Sequence, residues 1–133
     1  MTPMARASIT AADNITGDTA DDILIAGYTS YDEDPASLNK IQAEWNSARS
    51  YDNRVANLRG TQTNVSVFAA RSNGMVFLRG GSVGATVFDD GVADTLTGSQ
   101  GTDWFIFNND SGVTDNATDA KKQETTTDIN PPT

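Results

Sequence analysis

Gly98-Ser99-Gln100-Gly101-Thr102-Asp103-Trp104-Phe105-Ile106 is the stretch on which the fold turns. It has glycine at its first and fourth positions, aspartate at the sixth and an apolar side chain at the eighth. Nine residues earlier, Asp94 and Leu96 repeat the last two features; in a separate block, Asp13 with Ile15 and Asp22 with Leu24 do so twice more. The frame at 17–25 begins with Gly17 but has Asp18 and Ala20 where further glycines belong. The frame at 89–97 has Asp89, Asp90 and Val92 there, and the frame at 8–16 has Ala11. A frame at 80–88 keeps Gly80, Gly81 and Val87 but replaces the aspartate with Ala85, and one at 26–34 keeps little beyond Gly27. A short fixed period implies units that bury their apolar side chains only by stacking on one another.

The residue types explain what each unit does. Glycine permits the positive φ of a tight turn, and such a turn directs carbonyl oxygens inward. The closing aspartate adds a carboxylate, so two stacked turns surround a hard cation such as calcium with oxygen at about 2.3–2.6 Å. The three residues that follow form a short strand whose middle side chain points into the coil, a role that suits Leu24, Leu96 and Phe105. The expected fold is therefore mainly β, a parallel β-roll or β-helix-like core built from degenerate nonapeptide repeats. The glycine losses at Asp18, Ala20 and Val92 predict strain wherever φ must be positive. The competing view is an ordinary β-protein whose turns happen to use Asp and Gly.

Composition points the same way. The chain has 133 residues, the size of one domain, and it lacks both cysteine and histidine. Disulfides, thiolate sites and the usual nitrogen ligands of zinc, copper and haem are thereby excluded. Oxygen ligands remain abundant, with 18 Asp and Glu. The net charge of −9 is unevenly spread: four acids and one base in residues 1–31, nine acids and two bases in 85–133, and five acids and six bases between them. The acidic ends lack the clustered Lys and Arg of a nucleic-acid surface. No apolar run approaches the roughly 18 residues of a membrane span, and the opening Met1–Arg6 does not resemble a secretory signal peptide.

A single domain, 1–133, is expected in five parts: a first repeat block (8–31), a helical insert (34–60), a hairpin (61–79), a second repeat block (80–106) and a polar tail (107–133). In the insert, Asp34 is placed to cap a helix and Pro35 to occupy its first turn. Leu38, Ile41, Trp45 and Ala48 fall on one helical face, and Tyr51, Val55 and Leu58 on another after a break near Ser50, with Gly60 as the stop. Such stripes pack against a core. Val65–Phe68 and Met75–Leu78 are strand-like around a Ser72-Asn73-Gly74 turn. In the tail, Asp115 and Asp119 are candidate caps or additional ligands, and residues 125–133 are expected to be mobile.

Ala20–Gly27 and Thr86–Gly98, continuing into Gly101-Thr102-Asp103-Trp104-Phe105, resemble the C-terminal region of bacterial hemolysin-type (RTX) calcium-binding proteins. Ile41–Trp45 and Arg54–Leu58 resemble an insert found in such regions. The resemblance covers about residues 13–119 and is loose over 60–80. It implies a secreted, extracellular protein exported by a type I system, in which calcium drives folding. It also implies aspartate ligands at Asp22, Asp94 and Asp103, and more weakly at Asp13, with turn carbonyls near Gly17, Gly98 and Gly101 completing the sites. The implied partners are calcium and the upstream repeats of a larger protein.

Two other functions are compatible with the residues. A glycan-binding or adhesion module would use Tyr28, Tyr31 or Trp104 against sugars. A carboxylate-dependent hydrolase would pair acids such as Asp89, Asp90, Asp94 and Asp103 across a glycosidic bond, with one of them raised in pKa. Gly80-Gly81-Ser82-Val83-Gly84 matches a nucleophile elbow, yet a Ser-His-Asp mechanism is excluded in a chain without histidine.

Overall fold

The computed structural model describes residues 4–6, 12–81, 83–110 and 112–129. Nine short strands and three helices lie among them: β1 (Met4–Arg6), β2 (Asn14–Thr16), β3 (Ile23–Ile25), β4 (Gly27–Thr29), α1 (Pro35–Trp45), α2 (Tyr51–Arg59), α3 (Val65–Ala69), β5 (Val87–Asp89), β6 (Thr95–Thr97), β7 (Trp104–Phe107), β8 (Asn116–Ala117) and β9 (Thr125–Asp128). Strands nine residues apart go to different sheets. β1, β3, β7 and β9 form a four-stranded parallel sheet in that order, and β2, β6 and β8 a three-stranded one. β4 and β5 pair antiparallel. Register is set by the repeat, with Leu24 opposite Phe105 and Ile15 opposite Leu96.

The two central strands of the four-stranded sheet, β3 and β7, are buried on both faces, which explains why they are apolar without alternation. Leu24 and Phe105 face Ile15 and Leu96 of the three-stranded sheet. Ile23, Ile25, Trp104 and Ile106 face the other way, against Ile41, Trp45, Val55 and Leu58 of the helices. The layers therefore run three-stranded sheet, four-stranded sheet, helices.

This architecture corrects the expected mainly β, β-roll fold. Among the described residues there are three small sheets and three helices, a mixed α/β domain with no closed or coiled β-roll. The reason is physical. The apolar residues flanking the middle positions of β3 and β7 need cover of their own, and the helical layer supplies it, so the helices form half of the core rather than decorate it.

Local signals place the helices. Asp34 accepts the Ser37 amide at the start of α1 and Pro35 follows it; Ser50 accepts the Asn53 amide at α2, which ends on left-handed Gly60. The expected hairpin at 61–79 is not formed. Val65–Phe68 is helical because Asn64 caps it, its Oδ1 accepting the Val67 amide at 3.2 Å and the Ser66 hydroxyl at 2.9 Å. Residues 75–78 run without a strand partner of their own and bury Val76, Phe77 and Leu78 beneath the helices. The tail also differs from expectation: polar Thr125–Asp128 is strand β9, and Ile129 behind it is buried. Residues 8–11, which open the first repeat frame, Ser82 of the elbow-like motif, and residues 130–133 lie outside the described residues.

Candidate metal centre

The site is built where the turns before β3 and β7 lie over one another. The Gly17 amide donates to the Thr97 carbonyl at 2.8 Å, and the Asp22 amide donates to Asp103 Oδ1 at 2.8 Å. A Cβ on Gly17 would collide with the Asp22 carboxylate and the Gly98 carbonyl; one on Gly98 would collide with the Asp103 carboxylate; one on Gly101 would strike the Ala20 carbonyl. Gly17, Asp22, Gly98, Gly101 and Asp103 therefore share one locus. Asp13 and Asp94 occupy a second, ahead of β2 and β6, where the Asp13 amide donates to Asp94 Oδ1 at 2.8 Å.

Each locus extends to a third row. Asp115 Oδ1 accepts the Asp94 amide at 2.8 Å, and Glu124 Oε2 accepts the Asp103 amide at 2.7 Å. Asp119 accepts the Gly98 and Ser99 amides at 2.7 and 2.8 Å. The interval from row one to row two is 81 residues at both loci, nine repeat lengths, and from row two to row three it is 21. Glu124 escapes sequence reasoning because a 21-residue interval breaks the ninefold period and a glutamate replaces the aspartate.

The turns close without the expected strain. Asp18, Ala20 and Val92 keep negative φ; Asp18 Oδ1 accepts the Ala20 amide at 2.7 Å and Asp90 Oδ1 the Val92 amide at 3.0 Å. Aspartate side chains thus close the turns that glycine closes elsewhere. Ser99 alone among the described non-glycine residues has positive φ, 69°.

The carboxylates are buried and incompletely satisfied. Asp22 and Asp103 are fully buried and Asp94 is 2 % exposed. Asp22 Oδ1, Asp103 Oδ2 and Asp94 Oδ2, together with Asp89 Oδ1 and Asp90 Oδ2, are buried with no hydrogen-bond partner. Burial, reinforced by neighbouring acids, pushes Asp103 up to about 7 and Asp94 and Asp115 up to about 6, and raises Asp22 and Asp90 as well. A buried charge with an unmet acceptor is costly, and a cation beside it removes that cost. Among the described residues no three carboxylates converge as a metal-holding group. The loci pair their carboxylates two by two and offer only oxygen, the ligand type that hard cations prefer and softer metals do not.

The helical layer grips the first locus. Trp45 Nε1 donates to the Asp21 carbonyl at 2.8 Å, and Arg54 binds the Asp21 carboxylate at 2.8 Å while lying over the Trp45 ring. Asp21 Oδ1 accepts the Thr102 amide at 2.8 Å, linking the two rows. The Tyr51 hydroxyl donates to the Asp103 carbonyl at 2.7 Å and accepts the Thr125 amide at 2.8 Å, so it stands between β7 and β9 at the mouth of their ladder.

The aromatic residues considered for sugar contact are engaged elsewhere. Trp104 is fully buried, Tyr28 packs on Phe88 with ring centroids 5.4 Å apart, and the Tyr31 hydroxyl donates to the Phe77 carbonyl. No described helix is long and apolar enough to cross a membrane. No family model, curated protein or solved structure matches this chain.

Proposed function

We propose that this chain is a calcium-binding structural and folding module, holding the ion between stacked acidic turns. The observation that carries this is the pair Asp22 and Asp103: two fully buried carboxylates, each with an unpartnered oxygen, beside glycines whose missing side chains leave their carboxylates room. Asp22 and Asp103 would hold one ion with carbonyls of the Gly17 and Gly98 turns. Asp94, with Asp13 behind it and Asp89 and Asp90 in the same turn, would hold another. Bound calcium supplies the positive charge that these carboxylates lack.

The consequence is coupled binding and folding. The sites exist only when rows far apart in sequence are stacked, so the ion binds the folded chain and not the unfolded one. At a free concentration of 100 times Kd this linkage is worth about 2.7 kcal/mol, on the order of 10 °C in Tm for a domain of this size. The resemblance to hemolysin-type proteins supports a setting outside the cell, reached by type I export and joined to upstream repeats.

Thermal melting followed by circular dichroism, in chelator, in calcium and in magnesium, tests the proposal. Tm should rise by roughly 10 °C with saturating calcium and much less with magnesium, which demands a smaller octahedral shell. A Tm indifferent to millimolar calcium sinks it. Asp103→Asn and Asp22→Asn should each remove the part of the calcium response that their shared ion supplies, while the chain still folds.

A further inference from the structure

Away from the acidic turns, a cleft of about 660 Å³ opens between the end of α2, residues 78–81 with Val83, and strand β9. Arg59 and Arg79 line it, in a chain whose nine basic residues face 18 acids. Neither forms an ion pair among the described residues, whereas Arg49 and Arg54 are both paired, with Glu44 and Asp21.

Arg79 is held in place rather than left to wander. Its guanidinium lies 4.3 Å over the Phe77 ring, and its Nε donates to the Arg59 carbonyl at 3.2 Å. Its Nη2 occupies the space that a side chain on Gly60 would fill. These contacts fix the plane of the fork and use one of its five N–H donors. Thr127, on strand β9, accepts from Trp104 Nε1 at 2.8 Å, so its hydroxyl proton must point to another acceptor. Asp128 also lines the cleft, but one of its oxygens accepts the Asn109 amide at 3.1 Å.

We propose that this cleft binds a small organic oxyanion, a carboxylate or sulfate carried on a molecule of about monosaccharide size. Arg79 presents a fixed planar fork to the anionic group, Arg59 adds a second positive charge, and Thr127 donates its hydroxyl. A planar guanidinium binds two oxygens of one anion at once, which an ammonium does not. The volume exceeds what a lone inorganic ion fills and lies within the range of small-ligand sites. The rim residue Val83, 91 % exposed, offers the body of the ligand an apolar contact.

Calorimetric titration of protein freed of calcium by dialysis, in chelator-free buffer, keeps this site separate from the calcium centre. Sodium glucuronate and glucose 6-sulfate are the organic probes, inorganic sulfate tests the bare ion, and glucose is the uncharged control. Saturable binding of either organic anion and none of glucose is expected, with glucuronate or the sulfate ester ahead according to which group the cleft prefers. Arg79→Gln and Arg79→Lys should each weaken binding about tenfold or more, the lysine because it cannot keep the fork. Arg59→Gln should weaken it less. Lys122→Gln, at an exposed position outside the cleft, should leave it unchanged. Absence of saturable binding by both organic anions, or equal affinity in folded Arg79→Gln and Arg59→Gln proteins, overturns the proposal, as does binding of inorganic sulfate alone.

Discussion

Two fully buried carboxylates, Glu44 and Asp103, are handled in opposite ways by the same chain. In the helical layer, Glu44 accepts both ends of the Arg49 fork at 2.8 and 2.7 Å, the Asn57 amide group at 3.3 Å and the Ser72 backbone amide at 2.8 Å. In the acidic turns, Asp103 accepts a backbone amide through one oxygen and leaves the other without a partner, and its pKa is driven to about 7. One region carries its counter-charge in its own sequence. The other depends on a proton or an external cation. Stability in the first region should therefore be indifferent to the solution, and in the second governed by it.

The largest effect expected is from removing the built-in cation. Arg49→Ala strands Glu44 and should destabilise the fold by about 3 kcal/mol, the lower end for a broken buried pair because Arg49 is itself partly exposed. Urea denaturation should give the same loss with calcium and in chelator. A loss that calcium repairs would break the distinction between the regions.

Acid should act on the turns next. Asp94, Asp103 and Asp115 titrate near 6 to 7 in the fold and near 3.8 when unfolded, so the folded chain binds more protons between those values. The associated stability is fully present below about 3.8 and is lost as pH rises through 6 to 7. In chelator, the fold should gain about 2–3 kcal/mol between pH 8 and pH 5, a total discounted for coupling between the groups. Saturating calcium should flatten or reverse that slope, because protons and metal compete for the same oxygens. A chelated protein less stable at pH 5 than at pH 8 would contradict the geometry of the turns.

Tyr51 joins the regions, and Tyr51→Phe tests how tightly. Its hydroxyl serves both the Asp103 carbonyl and the Thr125 amide, and losing it should cost about 1–2 kcal/mol. The calcium response should weaken with it, because the Asp103 turn loses its tether to the helices. An unchanged calcium affinity would show that the helical layer and the acidic turns act independently.

The smallest effect concerns Ser99, at φ 69° where other turns use glycine. Ser99→Gly should stabilise by about 1 kcal/mol, visible as a small rise in Tm both with and without calcium. No change would mean that the serine relieves its strain in the native turn.

Much of this was legible in the sequence, unevenly. The Asp-x-apolar spacing located strands β2, β3, β6 and β7 and the aspartates that close their turns. Asp34-Pro35, Ser50 and Gly60 marked the helix ends, since caps are read within a few residues. Val65–Phe68 misled because β-branched residues favour strands on average, while the Asn64 cap and the aromatic contact of Phe68 with Phe77 decided otherwise. Thr125–Asp128 has no apolar signature, and becomes a strand only because β7 offers it an edge.

By itself, the sequence determined the local units: oxygen-rich turns at a nine-residue spacing, capped helices, and the lack of thiolate and imidazole ligands that follows from having no cysteine or histidine. Only the tertiary structure decided what covers what. That the helices bury the second face of β3 and β7, that Glu124 and Asp115 complete the third row, and that Arg59 and Arg79 line one cleft depend on contacts between distant residues. Spacing records contacts that recur at a fixed interval along the chain; it carries no trace of a contact that occurs once, between segments brought together only by burial of the core.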